Sequence, residues 1–200
     1  MQFAMAFKII GVLLILFSSA MLPSLLLSVV SQDGIESAFA IGFAATLAAG
    51  VLLWLPNRLR RRDLNIRDGF LVTALFWIVL GLFGAIPLWI TPQLDLSPAA
   101  AIFESISGLT TTGATVITGL DALPKSLLLY RQLLQWLGGI GIIVLAVAIL
   151  PMLGIGGMQL YRAESAGPSK DRKLTPRITS TAKALFGIYL LLTVACALSY

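Results

Sequence analysis

The chain of 200 residues has the composition of an integral membrane protein. Hydrophobic residues make up 58% of it and charged residues 12%, and its mean hydropathy is +0.95, whereas soluble domains are about half apolar and about 25% charged. These values exclude a soluble domain, a disordered chain and a disulfide scaffold. Fourteen basic residues against nine acidic ones give a net charge of +5. In a membrane chain, such an excess sets the orientation of the helices in the bilayer more often than it serves nucleic-acid binding.

Missing residue types narrow the chemistry further. The sequence has no histidine, which excludes histidine acid–base catalysis and histidine metal ligation. Ser105 and Ser107 lie near a glycine, but without a histidine base an intramembrane protease is disfavoured, and we expect no enzyme. The single cysteine, Cys196, cannot form an internal disulfide, and its apolar surroundings predict a buried structural thiol.

Five stretches are long and apolar enough to cross a bilayer, which needs about 20 residues per helix. They are residues 9–30, 38–55, 69–90, 126–150 and 184–200. Lys8 precedes the first stretch, so a signal peptide is an alternative there. The apolar run continues through Pro23 without a clear cleavage site, which favours a retained helix with a kink at this proline.

Basic residues alternate between the connecting segments. Residues 56–68 carry five arginines and residues 151–183 carry six lysines or arginines, whereas residues 31–37 carry none. The positive-inside rule therefore places 56–68, 151–183 and the amino terminus in the cytoplasm. A lipid-binding or partner-binding patch on the longer segment remains an alternative.

The segment between the third and fourth stretches does not resemble a simple loop. Ser97 followed by Pro98 predicts a helix start, and the helix extends to Leu109, about 18 Å or half a membrane. Residues 110–115 follow with the sequence TTTGAT, and we call them the TTTGAT segment. Threonines around one glycine favour extended backbone with a turn and make a poor helix.

A half-length helix followed by extended polar backbone is typical of a re-entrant pore loop. Non-helical backbone at membrane depth survives only where protein buries it or where it lines water. There, a row of carbonyl oxygens can replace the hydration shell of a monovalent cation. The pattern alone fits equally well a periplasmic loop with an amphipathic helix and a threonine-rich turn.

The sequence FESISGLTTTGATV, followed by RQLLQWLGGIGIIVLAVAILP, resembles the first repeat of TrkH-type subunits in the Trk/Ktr potassium-uptake family. The resemblance implies an all-α integral membrane fold with helix–pore-helix–filter–helix repeats of the potassium-channel type. Residues 1–68 then form two leading transmembrane helices, residues 69–182 one repeat with its basic cytoplasmic loop, and residues 183–200 the truncated start of a second repeat.

The resemblance also implies a function and a site. The function is potassium uptake across the bacterial inner membrane, with K⁺ as the transported ion and no organic cofactor in this chain. A filter needs four such loops, so we expect a homodimer of a longer four-repeat chain, embedded in lipid and gated by a TrkA-type cytoplasmic nucleotide-binding subunit. A secondary transporter with a re-entrant hairpin is the alternative. The implied ion ligands are mainly backbone carbonyls of Thr111, Thr112, Gly113 and Ala114, flanked by Thr110 and Thr115.

Several residues outside the TTTGAT segment have open interpretations. Gly138 and the glycines after it would allow close helix packing or act as a hinge. Glu104 is costly at membrane depth unless partnered, and it either supports the filter by hydrogen bonds or adds negative field for cations. Tyr130 and Arg131 are interpreted as anchors at the lipid interface.

Overall fold

The computed structural model describes residues 3–59, 66–149 and 171–199, and the regular secondary structure of these ranges is helical. Short 3₁₀ turns follow α3 and α4 and precede α6. The helices are α1 (Phe3–Ser18), α2 (Met21–Ser31), α3 (Glu36–Trp54), α4 (Ile66–Ile90), α5 (Pro98–Leu109), α6 (Lys125–Ile149) and α7 (Asp171–Ser199).

Three helical stretches of the described chain are long and apolar enough to cross a membrane. They are Ala4–Ser31, Glu36–Asn57 and Leu71–Ile90, which confirms the first three predicted spans. The fourth predicted span coincides with α6. The fifth lies within α7, but this helix begins at Asp171 rather than at residue 184, since a helix can continue beyond its apolar part.

The break in the first span lies just before Pro23. Helix α1 ends at Ser18 and α2 begins at Met21, so the irregular backbone is at residues 19 and 20. A proline cannot donate a hydrogen bond to the carbonyl four residues earlier, which here belongs to Ser19. That carbonyl accepts instead from the N–H of Leu22 at 3.2 Å. The predicted kink therefore appears as a short interruption one turn earlier.

The chain forms two compact units, Met1–Gly138 and Gly139–Tyr200. In the first unit α1 packs on α3 and α4 packs on α5. Gly11 and Gly50 let the backbones of α1 and α3 approach closely, because a Cβ on either would lie within 3 Å of the other's carbonyl oxygen. In the second unit Cys196 is exposed, so the expectation of a buried thiol was wrong.

The core of the first unit contains Tyr130, whose side chain is fully buried. Its ring meets that of Phe39 edge to face, with centroids 5.4 Å apart. Its hydroxyl donates to the carbonyl of Gly84 at 2.8 Å. Tyr130 is therefore a core residue joining α3, α4 and α6, and its interpretation as an interfacial anchor was wrong. A buried tyrosine needs such a hydrogen-bond partner.

Polar contacts connect the helices at both ends of the first unit. Lys8 Nζ donates to the carbonyl of Arg58 at 3.0 Å, joining the first half of α1 to the chain just after the 3₁₀ turn that follows α3. A span away, the Asp33 carboxylate accepts hydrogen bonds from the hydroxyls of Ser28 and Ser126. Burial raises the pKa of Asp33, but these hydrogen bonds outweigh it, and the pKa lies below its usual value.

Candidate functional site

Helix α5 begins and ends where the sequence predicts. Ser97 is extended, with φ −64° and ψ 155°, and its side chain accepts from the N–H of Ala100 at 3.2 Å. Pro98 occupies the first helical position, where its missing N–H has no cost. The helix ends at Leu109, so its twelve residues match the predicted half-length helix.

The TTTGAT segment begins with a Schellman stop. The N–H of Thr111 donates to the carbonyl of Gly108 at 2.9 Å, and that of Thr112 to the carbonyl of Ser107 at 3.0 Å. This motif requires a left-handed residue, and Thr111 fills the position with φ 57°. A β-branched residue rarely adopts this angle, so the backbone is strained here. Two residues later Gly113 is again left-handed, with φ 75°.

Two side chains of α5 hold the end of the TTTGAT segment. Ser107 Oγ donates to the carbonyl oxygen of Ala114 at 2.6 Å. One turn earlier, the Glu104 carboxylate accepts from Thr115 Oγ1 at 2.9 and 3.0 Å and from the N–H of Val116 at 3.1 Å. Residues three apart share a helix face, so Glu104 and Ser107 act on consecutive residues of the segment.

The partner of Glu104 is Arg131 on α6. Arg131 Nε donates to Glu104 Oε1 at 2.8 Å, and the guanidinium Nη2 contacts the same oxygen as an ion pair. The Glu104 side chain is 2% exposed and the Arg131 side chain is 11% exposed, which places the pair inside the protein. Arg131 is therefore not an interfacial anchor, and that interpretation was wrong. A carboxylate this deeply buried needs a counter-charge and donors to compensate for lost hydration.

Helix α6 also supports the end of α5 through a glycine. A Cβ placed on Gly138 would lie 1.9 Å from the carbonyl oxygen of Leu109, so only glycine allows the two backbones to lie this close. A Cβ placed on Gly108 of α5 would lie 3.1 Å from the Cβ of Leu134 on α6, so this glycine also leaves little room for a side chain. Gly138 thus has the packing role that the sequence suggests.

The predicted ion ligands form an exposed stretch of backbone. Residues 111 to 116 are exposed, and no atom lies within 4 Å of a Cβ placed on Gly113. Thr110 and Thr112 share a hydrogen bond between their hydroxyls at 2.8 Å. The Ala114 carbonyl bonds to Ser107 and keeps a second lone pair. Within the described ranges no cluster of three acidic or cysteine residues could hold a metal. A cation at this surface would meet neutral oxygen atoms.

Sequence reasoning missed two of the supporting residues. A signal for Arg131 was present, since Glu104 and Arg131 are isolated charges in apolar stretches, and such charges usually pair. Ser107 had only its spacing from Glu104 as a signal. Which backbone atom a serine meets depends on the path of the following loop, and sequence spacing does not specify that path.

Comparison with known proteins gives the family. Residues 35–200 match the family model TrkH, described as a cation transport protein. The chain belongs to the TrkH family. It is 60% identical over 200 residues to the Trk system potassium uptake protein TrkH of Halomonas elongata, covering 100% of this chain and 42% of that protein. It is 55% identical over 199 residues to the protein of the same name in Escherichia coli K12, covering 41% of it.

A solved TrkH structure has the same fold. The crystal structure of the potassium transporter TrkH from Vibrio parahaemolyticus superposes with a TM-score of 0.84 at 50% identity, covering 99% of this chain and 39% of that one. The chain therefore spans about two fifths of the length of the TrkH proteins it matches. Family membership confirms the resemblance and establishes a helical membrane protein.

Proposed function

We propose that this chain is part of a potassium uptake protein of the bacterial inner membrane. The TTTGAT segment supplies one quarter of a selectivity filter, in which the carbonyls of Thr111, Thr112, Gly113 and Ala114 hold a dehydrated K⁺. The observation that carries the proposal is the anchored but exposed backbone after α5, which the Schellman motif holds at its start and Ser107 and Glu104 hold at its end.

The backbone angles of the segment support carbonyl ligation. Thr110 has φ −80°, Thr111 has φ 57° and Gly113 has φ 75°, so left-handed residues recur at every second position. In a regular strand successive carbonyls point to opposite sides, whereas alternating handedness turns them toward one side. A row of carbonyls on one side is the arrangement that replaces the hydration shell of K⁺.

The transport step needs no covalent chemistry. A neutral carbonyl site binds K⁺ strongly enough to strip its water and weakly enough to release it to the next site. The membrane potential drives entry at about 2.3 kcal/mol per charge per 100 mV. One quarter of a filter is insufficient alone, so the function belongs to a longer chain of four repeats, assembled as a homodimer in lipid.

Contacts at the two ends of the first unit support the proposed topology. Lys8 contacts Arg58, so the start of α1 lies at the same end of the first unit as Arg58, and the positive-inside rule places the arginine-rich residues 56–68 in the cytoplasm. Asp33 and Ser126 lie a span away and are external. In the proposed orientation the start of α6 is external.

The basic residues 151–183 are the proposed docking surface for a TrkA-type nucleotide-binding regulatory subunit. Residues 151–170 lie outside the described part of the chain, and of residues 171–182 only the helical backbone is described. We expect the combined changes Lys170→Gln, Arg172→Gln and Lys173→Gln to abolish co-purification of the subunit with the full-length protein, because a charged interface loses its attraction. Unchanged co-purification would contradict this docking surface.

The transport proposal is tested by ⁸⁶Rb⁺ uptake in cells that express the full-length gene, with K⁺ and Na⁺ as competitors. The test variant is Gly113→Ser and the matched control is Gly119→Ser. Both glycines are left-handed, at φ 75° and 69°, and a Cβ placed on either would have no atom within 4 Å. Backbone strain is therefore similar at the two positions, and only Gly113 belongs to the TTTGAT segment.

We expect K⁺ to inhibit wild-type uptake more strongly than Na⁺ does, and Gly113→Ser to lose this preference while Gly119→Ser retains it. A serine at Gly113 shifts the carbonyls on which the preference depends. Equal behaviour of the two variants at equal membrane expression would contradict the filter. Saturable uptake coupled to a second ion would indicate a secondary transporter instead.

A further inference from the structure

We propose that the Glu104–Arg131 ion pair is a positioning pair that sets the ion selectivity of the TTTGAT segment without touching the ion. This inference rests on the proposed function of the segment and assigns part of its specificity to residues behind it. The pair joins three parts of the fold, because Glu104 is on α5, its partner Arg131 is on α6, and Glu104 also accepts a hydrogen bond from the backbone after Ala114.

The carboxylate of Glu104 is the common acceptor of this cluster. It accepts hydrogen bonds from the hydroxyl of Thr115 and the N–H of Val116 on one side and from the Arg131 guanidinium on the other. The Thr115 hydroxyl in turn accepts from the N–H of Ile117 at 3.1 Å. Three consecutive residues of the chain are thereby fixed by one buried charged group. Hydrogen bonds to an ionised group are about twice as strong as neutral ones.

The ion pair also decides between the two interpretations of Glu104. A lone carboxylate behind the segment would attract any cation through its field. Here the guanidinium of Arg131 contacts Glu104 Oε1, so the two opposite charges form a pair with no net charge. The field of Glu104 is therefore largely cancelled, and its remaining effect on ions is through the position of the backbone.

Position is what discriminates between K⁺ and Na⁺. The number and spacing of the carbonyls around the ion determine which cation a filter favours. The carbonyl of Ala114, which belongs to the proposed site, accepts from Ser107, and the next two residues, Thr115 and Val116, are held by Glu104. Release of the second contact leaves the segment attached only through Ser107 on this side, so its carbonyls can close around Na⁺.

The test variants are Glu104→Gln and Thr115→Val, with Glu36→Gln as the exposed carboxylate control. A glutamine offers one acceptor oxygen and places an NH₂ donor among the donors of Thr115, Val116 and Arg131, so part of the cluster must separate. Thr115→Val removes one hydroxyl with little change of shape and serves if Glu104→Gln fails to fold. Glu36 is exposed at the start of α3.

The first readout is the ratio of the Na⁺ and K⁺ concentrations that halve ⁸⁶Rb⁺ uptake by the full-length protein. We expect this ratio to fall about tenfold in Glu104→Gln and about threefold in Thr115→Val, since the first change weakens every contact of the carboxylate and the second removes only the hydrogen bond from the Thr115 hydroxyl. The control should keep the wild-type ratio. The uptake rate is normalised to membrane expression. A merely structural role of the pair would lower this rate without changing the ratio.

The second readout does not depend on transport. Ile117 is 7% exposed, so a cysteine introduced there by Ile117→Cys reports whether the chain after the segment has separated from α5. The background is the full-length protein with its own cysteines, Cys196 included, replaced by serine. A membrane-permeant thiol reagent should label this position about tenfold faster with Glu104→Gln than with Glu36→Gln, in line with the loss of a charge-assisted contact.

The two readouts separate the inference from the function on which it rests. Faster labelling together with a lower ratio supports the positioning pair. Unchanged labelling and an unchanged ratio in both test variants would overturn it, whatever the transport rate. Faster labelling in a protein that takes up no Rb⁺ even as wild type would support the pair as a positioning device and contradict the potassium-uptake proposal.

Discussion

The backbone of Gly138 on α6 lies directly against the carbonyl of Leu109, the last residue of α5. A Cβ on Gly138 would be 1.9 Å from that oxygen, so the contact is between two backbones and neither can yield by a side-chain rotation. The TTTGAT segment starts at the next residue after Leu109. The close approach therefore fixes the start of the candidate ion site relative to α6.

Replacing Gly138 tests this contact. We expect Gly138→Ala to destabilise the full-length protein by about 1–3 kcal/mol, the usual range for overpacking in a close-packed interior. The control is Gly139→Ala, whose Cβ would meet the hydroxyl end of Tyr189, which can move. Melting temperatures in detergent give the comparison. A larger decrease for Gly139→Ala would mean that the two backbones do not lie this close.

The buried hydroxyl of Tyr130 should stabilise the contact between α4 and α6. Tyr130→Phe keeps the ring against Phe39 but leaves the Gly84 carbonyl without this donor, and we expect a loss of about 1–3 kcal/mol. Tyr130→Leu also removes the ring contact and should cost more. Both values can be measured by thermal unfolding in detergent. An unchanged melting temperature in Tyr130→Phe would show that this hydroxyl does not stabilise the fold.

Two buried serines of α5 provide a matched pair. Ser107 donates to the Ala114 carbonyl, whereas the hydroxyl of Ser105 is buried without a hydrogen-bond partner in this structure. We expect Ser107→Ala to lower the Na⁺-to-K⁺ inhibition ratio of ⁸⁶Rb⁺ uptake about fivefold, equivalent to about 1 kcal/mol for one hydrogen bond. Ser105→Ala should leave the ratio at its wild-type value. The same shift in both variants would contradict the anchoring role of Ser107.

Acid should weaken the contact between Asp33 and the start of α6. The pKa of Asp33 lies below its ordinary value in the folded protein, so its carboxylate stabilises the fold above about pH 4 and this contribution disappears as the pH falls through the folded pKa. We expect Asp33→Asn to melt a few degrees below wild type at pH 7, with the difference closing below about pH 4.

The control for this measurement is Asp95→Asn, at an exposed left-handed position that asparagine also tolerates. It should melt close to the wild-type temperature at pH 7. A difference between Asp33→Asn and wild type that persists unchanged at pH 3 would mean that the charge of Asp33 does not stabilise the loop.

The sequence by itself determined the local elements of this protein. Apolar runs of membrane length predict the spans because, in the bilayer core, a helix satisfies all backbone hydrogen bonds within a single segment. Ser97 and Pro98 predict the start of α5, since a cap and a fixed φ act within one turn. The threonines after Leu109 predict the end of α5. The motif FESISGLTTTGATV indicates the family, which the comparisons confirm.

Only the tertiary structure decided how these elements meet. Glu104 and Arg131 are 27 residues apart on different helices, and Asp33 and Ser126 are 93 apart. Helix periodicity relates positions within one helix and says nothing about the neighbour that a side chain faces. A buried charge requires a partner, but which one it finds depends on how the helices pack. For that reason the sequence left the role of Glu104 open and misassigned Arg131.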